Sequence, residues 1–187
     1  MTADEALRIV EEARQKGEVP DLTGAPLVAA DLTWADLTGA DLAGADLARA
    51  DLMGADLTRA CLEGACLSWA SLVDADLVGA DLTRACLKGA CLTGADLAGA
   101  DLTWANLRRA DLAGADLARA DLTDACLVDA DLSRASLRGA SLKSADLFGA
   151  DLTRADFYLA DMTGANLTDG TFDGVNLTGT IMDKVNK

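Results

Sequence analysis

Thiols and carboxylates are the side chains with most chemistry to offer in this sequence, and both recur at a fixed spacing. Cys61, Cys66, Cys86, Cys91 and Cys126 each stand immediately before a leucine, the position that Asp takes in most of the chain. A thiol acts as nucleophile or ligand through its thiolate, which a neighbouring base or cation must stabilise. The chain contains no histidine, so the commonest general base and metal ligand is missing. Cys–Lys or Asp–Asp chemistry then depends on whether the fold supplies a concave, desolvated site.

The elements that would position these groups follow from the spacing. Leu22, Leu27, Leu32 and Leu37 begin a series of period five. It runs to Leu152 and continues as Phe157, Met162, Leu167, Phe172, Leu177 and Met182. Ala stands two residues before each of these from Ala25 to Ala165, and is then replaced by Gly170, Val175 and Thr180. An α-helix would carry successive leucines ~140° further round at each step and spread them over every side. A straight strand would send alternate leucines to opposite faces. Ala and Leu lie two apart, however, the strand relation that puts both on one side. The consistent solution is a short extended segment plus a turn in every unit, coiling the chain around its own Leu/Ala axis. Each buried leucine contributes ~1.5–3 kcal/mol of gross driving force before chain entropy is counted.

The units Ala30-Asp31-Leu32-Thr33-Trp34 and Ala40-Asp41-Leu42-Ala43-Gly44 resemble the A(D/N)LXX signature of the pentapeptide-repeat family. The resemblance extends from Asp21 almost to the C-terminus without an insertion. It implies an all-β solenoid, a right-handed quadrilateral β-helix with four units, or twenty residues, per coil. About eight coils spaced ~4.8 Å apart would make a rod ~40 Å long. A convex rod filled by leucine offers no concave site, so no enzyme activity and no cofactor are expected. Metal is not expected either, because outward Asp columns are one-dimensional ladders without convergent ligands. The longest threonine column, Thr83, Thr103 and Thr123, is flanked by Glu63 and Lys143 and is too short for an ice-binding face.

Composition narrows the partners. Net charge is -15 and the isoelectric point is near 4.2, which argues against direct binding to nucleic acid or to an anionic membrane. No apolar run reaches the ~18 residues of a membrane span. The acidic segment Met1–Glu18 lacks the apolar centre of a secretion signal. Five cysteines, an odd number, fit free thiols in a reducing cytoplasm. Cys66 and Cys86 would stack on adjacent coils, where a disulfide would be strained because parallel side chains hold their Cβ atoms beyond the ~3.8 Å mean.

Residues 1–19 are expected to form a capping helix and 20–187 the β-helix. Thr2 and Glu5 make a capping box. Ala6, Leu7, Ile9, Val10 and Ala13 form an apolar stripe over residues 3–16, and Gly17 marks the stop before Pro20. At the other end, Phe172, Val175, Ile181, Met182 and Val185 enlarge the apolar groups near the last coil. They serve either local packing or an end-to-end homodimer.

Residues twenty apart would share a face. One face carries an acidic ladder, Asp36, Asp56, Asp76, Asp96 and Asp116, in which neighbours ~4.8 Å apart repel by ~1 kcal/mol in water. A second holds Pro26, Asp46, Cys66, Cys86, Asn106 and Cys126. There Arg49, Lys88, Arg108 and Arg109 balance the acids, and Trp69, Val128 and Phe148 add apolar surface. Any function is expected to be a protein-interaction surface, with Trp69, Lys88, Arg108, Arg109 and Phe148 as its candidate face. The family resemblance adds a rival, a DNA mimic that binds a type II topoisomerase such as DNA gyrase. A repeat scaffold selected or engineered for regularity is a third alternative.

Overall fold

The computed structural model describes residues 1–186. Its chain after residue 20 is a solenoid held by parallel bridges between residues twenty apart: Asp21 with Asp41, Cys66 with Cys86, Asp96 with Asp116, and onward to Asn166 with Asn186. Four such columns run along the rod, one for each pentapeptide of a coil. The extended segments expected from the sequence are too short to count as strands. Pairing among the described residues is by isolated bridges, because a turn begins within two residues of each one.

One unit shows how the backbone is satisfied. Cys91 N–H donates back to the Ala70 carbonyl (2.9 Å), while Leu92 N–H donates forward to Asp111 (2.6 Å). Gly94 N–H donates forward to Ala113 (3.1 Å), and Ala95 N–H closes the turn on the Leu92 carbonyl (3.0 Å). Only the amide just after the leucine lacks a backbone acceptor. In most units the preceding Asp supplies it, as Asp96 Oδ1 does for Ala98 N–H at 2.9 Å and Asp116 Oδ1 for Ala118 N–H at 2.9 Å. Asp recurs here because its short carboxylate folds back onto the amide two residues on.

The second residue after each leucine has positive φ in every unit from Gly24 to Lys184. This is the left-handed position of a type II turn, which glycine adopts without steric cost. Trp34 (φ 56°), Arg84 (φ 58°) and Leu159 (φ 59°) occupy it nonetheless. Side chains at this position lean onto the following coil. The Trp34 ring covers Gly54 and the Trp69 ring covers Gly89, so closely that a Cβ on either glycine would meet the indole. Gly44, in the same conformation, has nothing within 4 Å of that point. Gly44→Ala is therefore expected to cost about 1 kcal/mol from backbone strain alone. Gly89→Ala should cost about 1 kcal/mol more, because the indole must be displaced. Urea titration of both variants checks the difference, which Trp69→Ala should abolish.

Inside, alanine and leucine alternate without a polar side chain among the described buried residues. Phe157 and Met162 replace leucine and stay fully buried. The N-terminal end is covered by α1, Ala3–Lys16. Thr2 and Glu5 close its capping box, and Gly17 ends it in the left-handed conformation, its N–H donating to the Ala13 and Arg14 carbonyls. Ala6, Val10 and Ala13 are buried. Arg14 clamps Asp36 through two hydrogen bonds of 2.6 Å. At the opposite end Phe172, Val175, Met182 and Val185 pack partly buried against the core, whereas Leu177 is 36 % exposed. Ile181 sits at the outward position, bridged to Asp161, and belongs to the flank of this end rather than to its interior.

Candidate interaction faces

The expected acidic ladder forms one continuous column, with Asp36, Asp56, Asp76, Asp96 and Asp116 bridged in succession. Its members are not equivalent. Asp36 is taken up by Arg14, and this holds its carboxyl below the ordinary aspartate range, helped by Thr38. Asp56 is also lowered, first by its hydrogen bond with Thr58, against burial and the repulsion of Asp36. The bonds to Thr58, its side chain foremost, thus outweigh the like-charge neighbour. Asp76, Asp96 and Asp116 each spend Oδ1 on their own turn.

Asp31, Asp151 and Asp161 are lowered in the same manner, each first by the threonine two residues on. A carboxyl whose folded value lies below its unfolded value contributes stability above the unfolded value, about 3.9. That contribution is lost as pH falls through the folded value. Stability should therefore stay nearly level from pH 7 to about pH 5 and drop below about pH 4. Protonation also relieves the net repulsion of an acidic rod, so the drop marks how far the turn bonds prevail. Thermal melts across this range read it directly.

The charge-balanced face keeps Trp69 57 % and Phe148 40 % exposed. Arg108 and Arg109 both reach the Asp129 carboxylate at 3.6 Å, which gathers them into one cluster. Lys88 lies between Ser68 and Arg108 in the same column. Val128 departs from expectation: it is buried, set between the larger Arg108 and Phe148 of the coils on either side. Cys66 and Cys86 are bridged neighbours, and all five cysteines are free.

Sequence reasoning overlooked a second cluster. Arg138 donates to Asp156 at 2.7 Å and stacks over the Tyr158 ring at 4.5 Å. The residue spacings of eighteen and twenty carried this signal. The depressions on the rod are shallow and open. A representative one, lined by Gly114, Ser133, Arg134, Asp151, Thr153 and Arg154 among others, contains no fully buried ionisable side chain. Among the described residues no three His, Cys, Asp or Glu side chains converge on a metal position. No described helix is long and apolar enough to cross a membrane.

A family profile described as pentapeptide repeats matches residues 30–68, 67–99, 100–139 and 140–179. The chain belongs to the pentapeptide-repeat family. This pentapeptide-repeat protein is similar to HetL of the cyanobacterium Nostoc sp. strain PCC 7120, a family member involved in heterocyst differentiation regulation. The two are 35 % identical over 100 % of this chain and 94 % of HetL, with a TM-score of 0.52. A trypsin-treated single-site variant of QnrB1, a plasmid-mediated fluoroquinolone resistance protein, superposes with a TM-score of 0.63. The match covers 83 % of this chain and 78 % of the QnrB1 chain at 24 % identity, a likeness of fold alone. No curated protein matches this pentapeptide-repeat chain.

Proposed function

We propose that this chain is a non-enzymatic binding rod of the cytoplasm, right-handed, four-sided and about eight coils long, that engages a protein partner through its charge-balanced face. The observation that carries this reading is the placement of Trp69, Lys88, Arg108, Arg109 and Phe148 on one column of turns. The interior is the same apolar pair in nearly every unit and has nothing with which to discriminate between ligands. Exposed aromatic and arginine side chains are the residue types that dominate binding energy at protein interfaces. Affinity capture from lysate of the source organism tests the face by comparing three proteins. A partner retained by wild type and by Asp76→Asn/Asp96→Asn/Asp116→Asn, but lost with Trp69→Ala/Phe148→Ala, supports the reading. A partner lost with the aspartate variant and kept by the aromatic variant contradicts it.

A second reading is favoured by the ladder itself. Asp76, Asp96 and Asp116 succeed one another at the ~4.8 Å coil spacing, and a net charge of -15 over ~40 Å comes within a factor of about two of duplex DNA's charge density. Under this reading the rod occupies the DNA-binding surface of a type II topoisomerase. Unchanged DNA gyrase supercoiling at micromolar protein would eliminate it. The proposal also includes a homodimer through Phe172, Ile181, Met182 and Val185, which light scattering of a monomer at high micromolar concentration would contradict.

A further inference from the structure

Only one rung of the solenoid described here pairs two cysteines. Cys61 is bridged to Asp41 and Asp81, Cys91 to Ser71 and Asp111, and Cys126 to Asn106 and Asp146. Cys66 and Cys86 are bridged to each other. Both are half-buried, and their sulfurs face the same hydroxyl: Ser68 Oγ lies 3.6 Å from Cys66 Sγ and 3.2 Å from Cys86 Sγ. The two thiols therefore project side by side from adjacent coils toward one turn.

A disulfide between them would be strained, since parallel side chains on coils ~4.8 Å apart hold the Cβ atoms beyond the ~3.8 Å mean of that bond. The arrangement suits an ion that prefers two sulfurs in a line. Zinc bonds thiolate at ~2.3 Å, and a linear sulfur–metal–sulfur unit built on bonds of about that length or slightly shorter spans up to ~4.6 Å, close to the coil spacing. Its axis would run along the rod, leaving each Cβ–Sγ bond roughly perpendicular to the metal bond, as sulfur favours.

We propose that Cys66 and Cys86 form a two-coordinate site for a soft, thiophilic monovalent cation of the copper(I) type. Binding is an exchange without oxidation or reduction: each thiol releases its proton to solvent, and the metal gains two thiolate bonds. The bis-thiolate centre carries one net negative charge. Lys88, in the same unit as Cys86, and Arg108, one coil further on, place positive charge on that column of turns. Hard cations are excluded by ligand softness; the site departs from the expectation of no metal, which rested on the Asp columns alone.

The test is anaerobic copper(I) titration of the full chain against a competing copper(I) chelator, with X-ray absorption of the loaded protein. Wild type and Cys61→Ser/Cys91→Ser/Cys126→Ser should each take up one equivalent with equal affinity and show two sulfur neighbours in a linear centre. Cys66→Ser and Cys86→Ser should bind roughly 100-fold more weakly, with circular dichroism confirming that they are folded. Moving the rung supplies an independent arm: Cys86→Ser with Ser71→Cys pairs position 71 with Cys91 on the next face, and binding should return. Uptake that scales with the number of thiols, equal affinity in Cys86→Ser, or no binding by the moved rung would each overturn the proposal.

Discussion

Leu97→Ala is expected to destabilise the rod by about 3–5 kcal/mol, and the same change at Leu177 by only about 1–2 kcal/mol. Leu97 is fully buried with coils on either side, and truncation there leaves a cavity that neighbouring alanines are too short to fill. Leu177 is already 36 % exposed, so much of its side chain never left water and the gap opens to solvent. In a solenoid each coil is stabilised mainly by its two neighbours. The central variant should therefore also lower the cooperativity of urea unfolding, while the terminal variant leaves it unchanged. Equilibrium unfolding followed by circular dichroism measures both effects.

Val10→Asp should undock the N-terminal helix. Val10 is 2 % exposed and packs in the same core cluster as Leu22 and Leu27. A carboxylate there either loses its hydration, at a cost of several kcal/mol, or stays in water and takes α1 with it. Undocking also releases the Arg14–Asp36 clamp and uncovers the first coil. The expected result is a loss of about 3 kcal/mol or more of local stability, read as rapid amide exchange from Leu22 to Ala40 and trypsin cleavage at Arg14 or Lys16. Leu7→Asp, at a position 36 % exposed on the same helix, should leave both nearly unchanged.

Much of this architecture was legible because its rules are local and repeated. Leu and Ala two apart, every five residues, demand one inward side. Thr2 with Glu5 marks the start of α1 and Gly17 marks its end, each by a local motif. The left-handed turn residue was not legible, because Trp34, Arg84 and Leu159 occupy a conformation that glycine would advertise. The role of Asp was half hidden for a related reason. Cys and Ser occupy the same position without a carboxylate to fold back onto the turn, so Asp reads as surface charge rather than as a turn acceptor. The Arg14–Asp36 clamp joins residues that share no repeat register, and no spacing rule could have offered it. Val128 looked exposed because its turn position usually is; its burial depends on Arg108 and Phe148, one coil away on each side.

The assignment of residues to faces, and with it the binding column, the acidic ladder and the Cys66–Cys86 rung, depends on the twenty-residue register. Spin labels in a cysteine-free background test it most directly, placed at Thr38→Cys with Ala118→Cys and at Thr38→Cys with Thr178→Cys. All three positions follow the leucine of the same column of units. Electron–electron dipolar distances of about 19 Å and about 34 Å, rising by ~4.8 Å for every twenty residues, are the predicted result. Distances that do not grow in proportion to the number of coils between the labels would contradict the account.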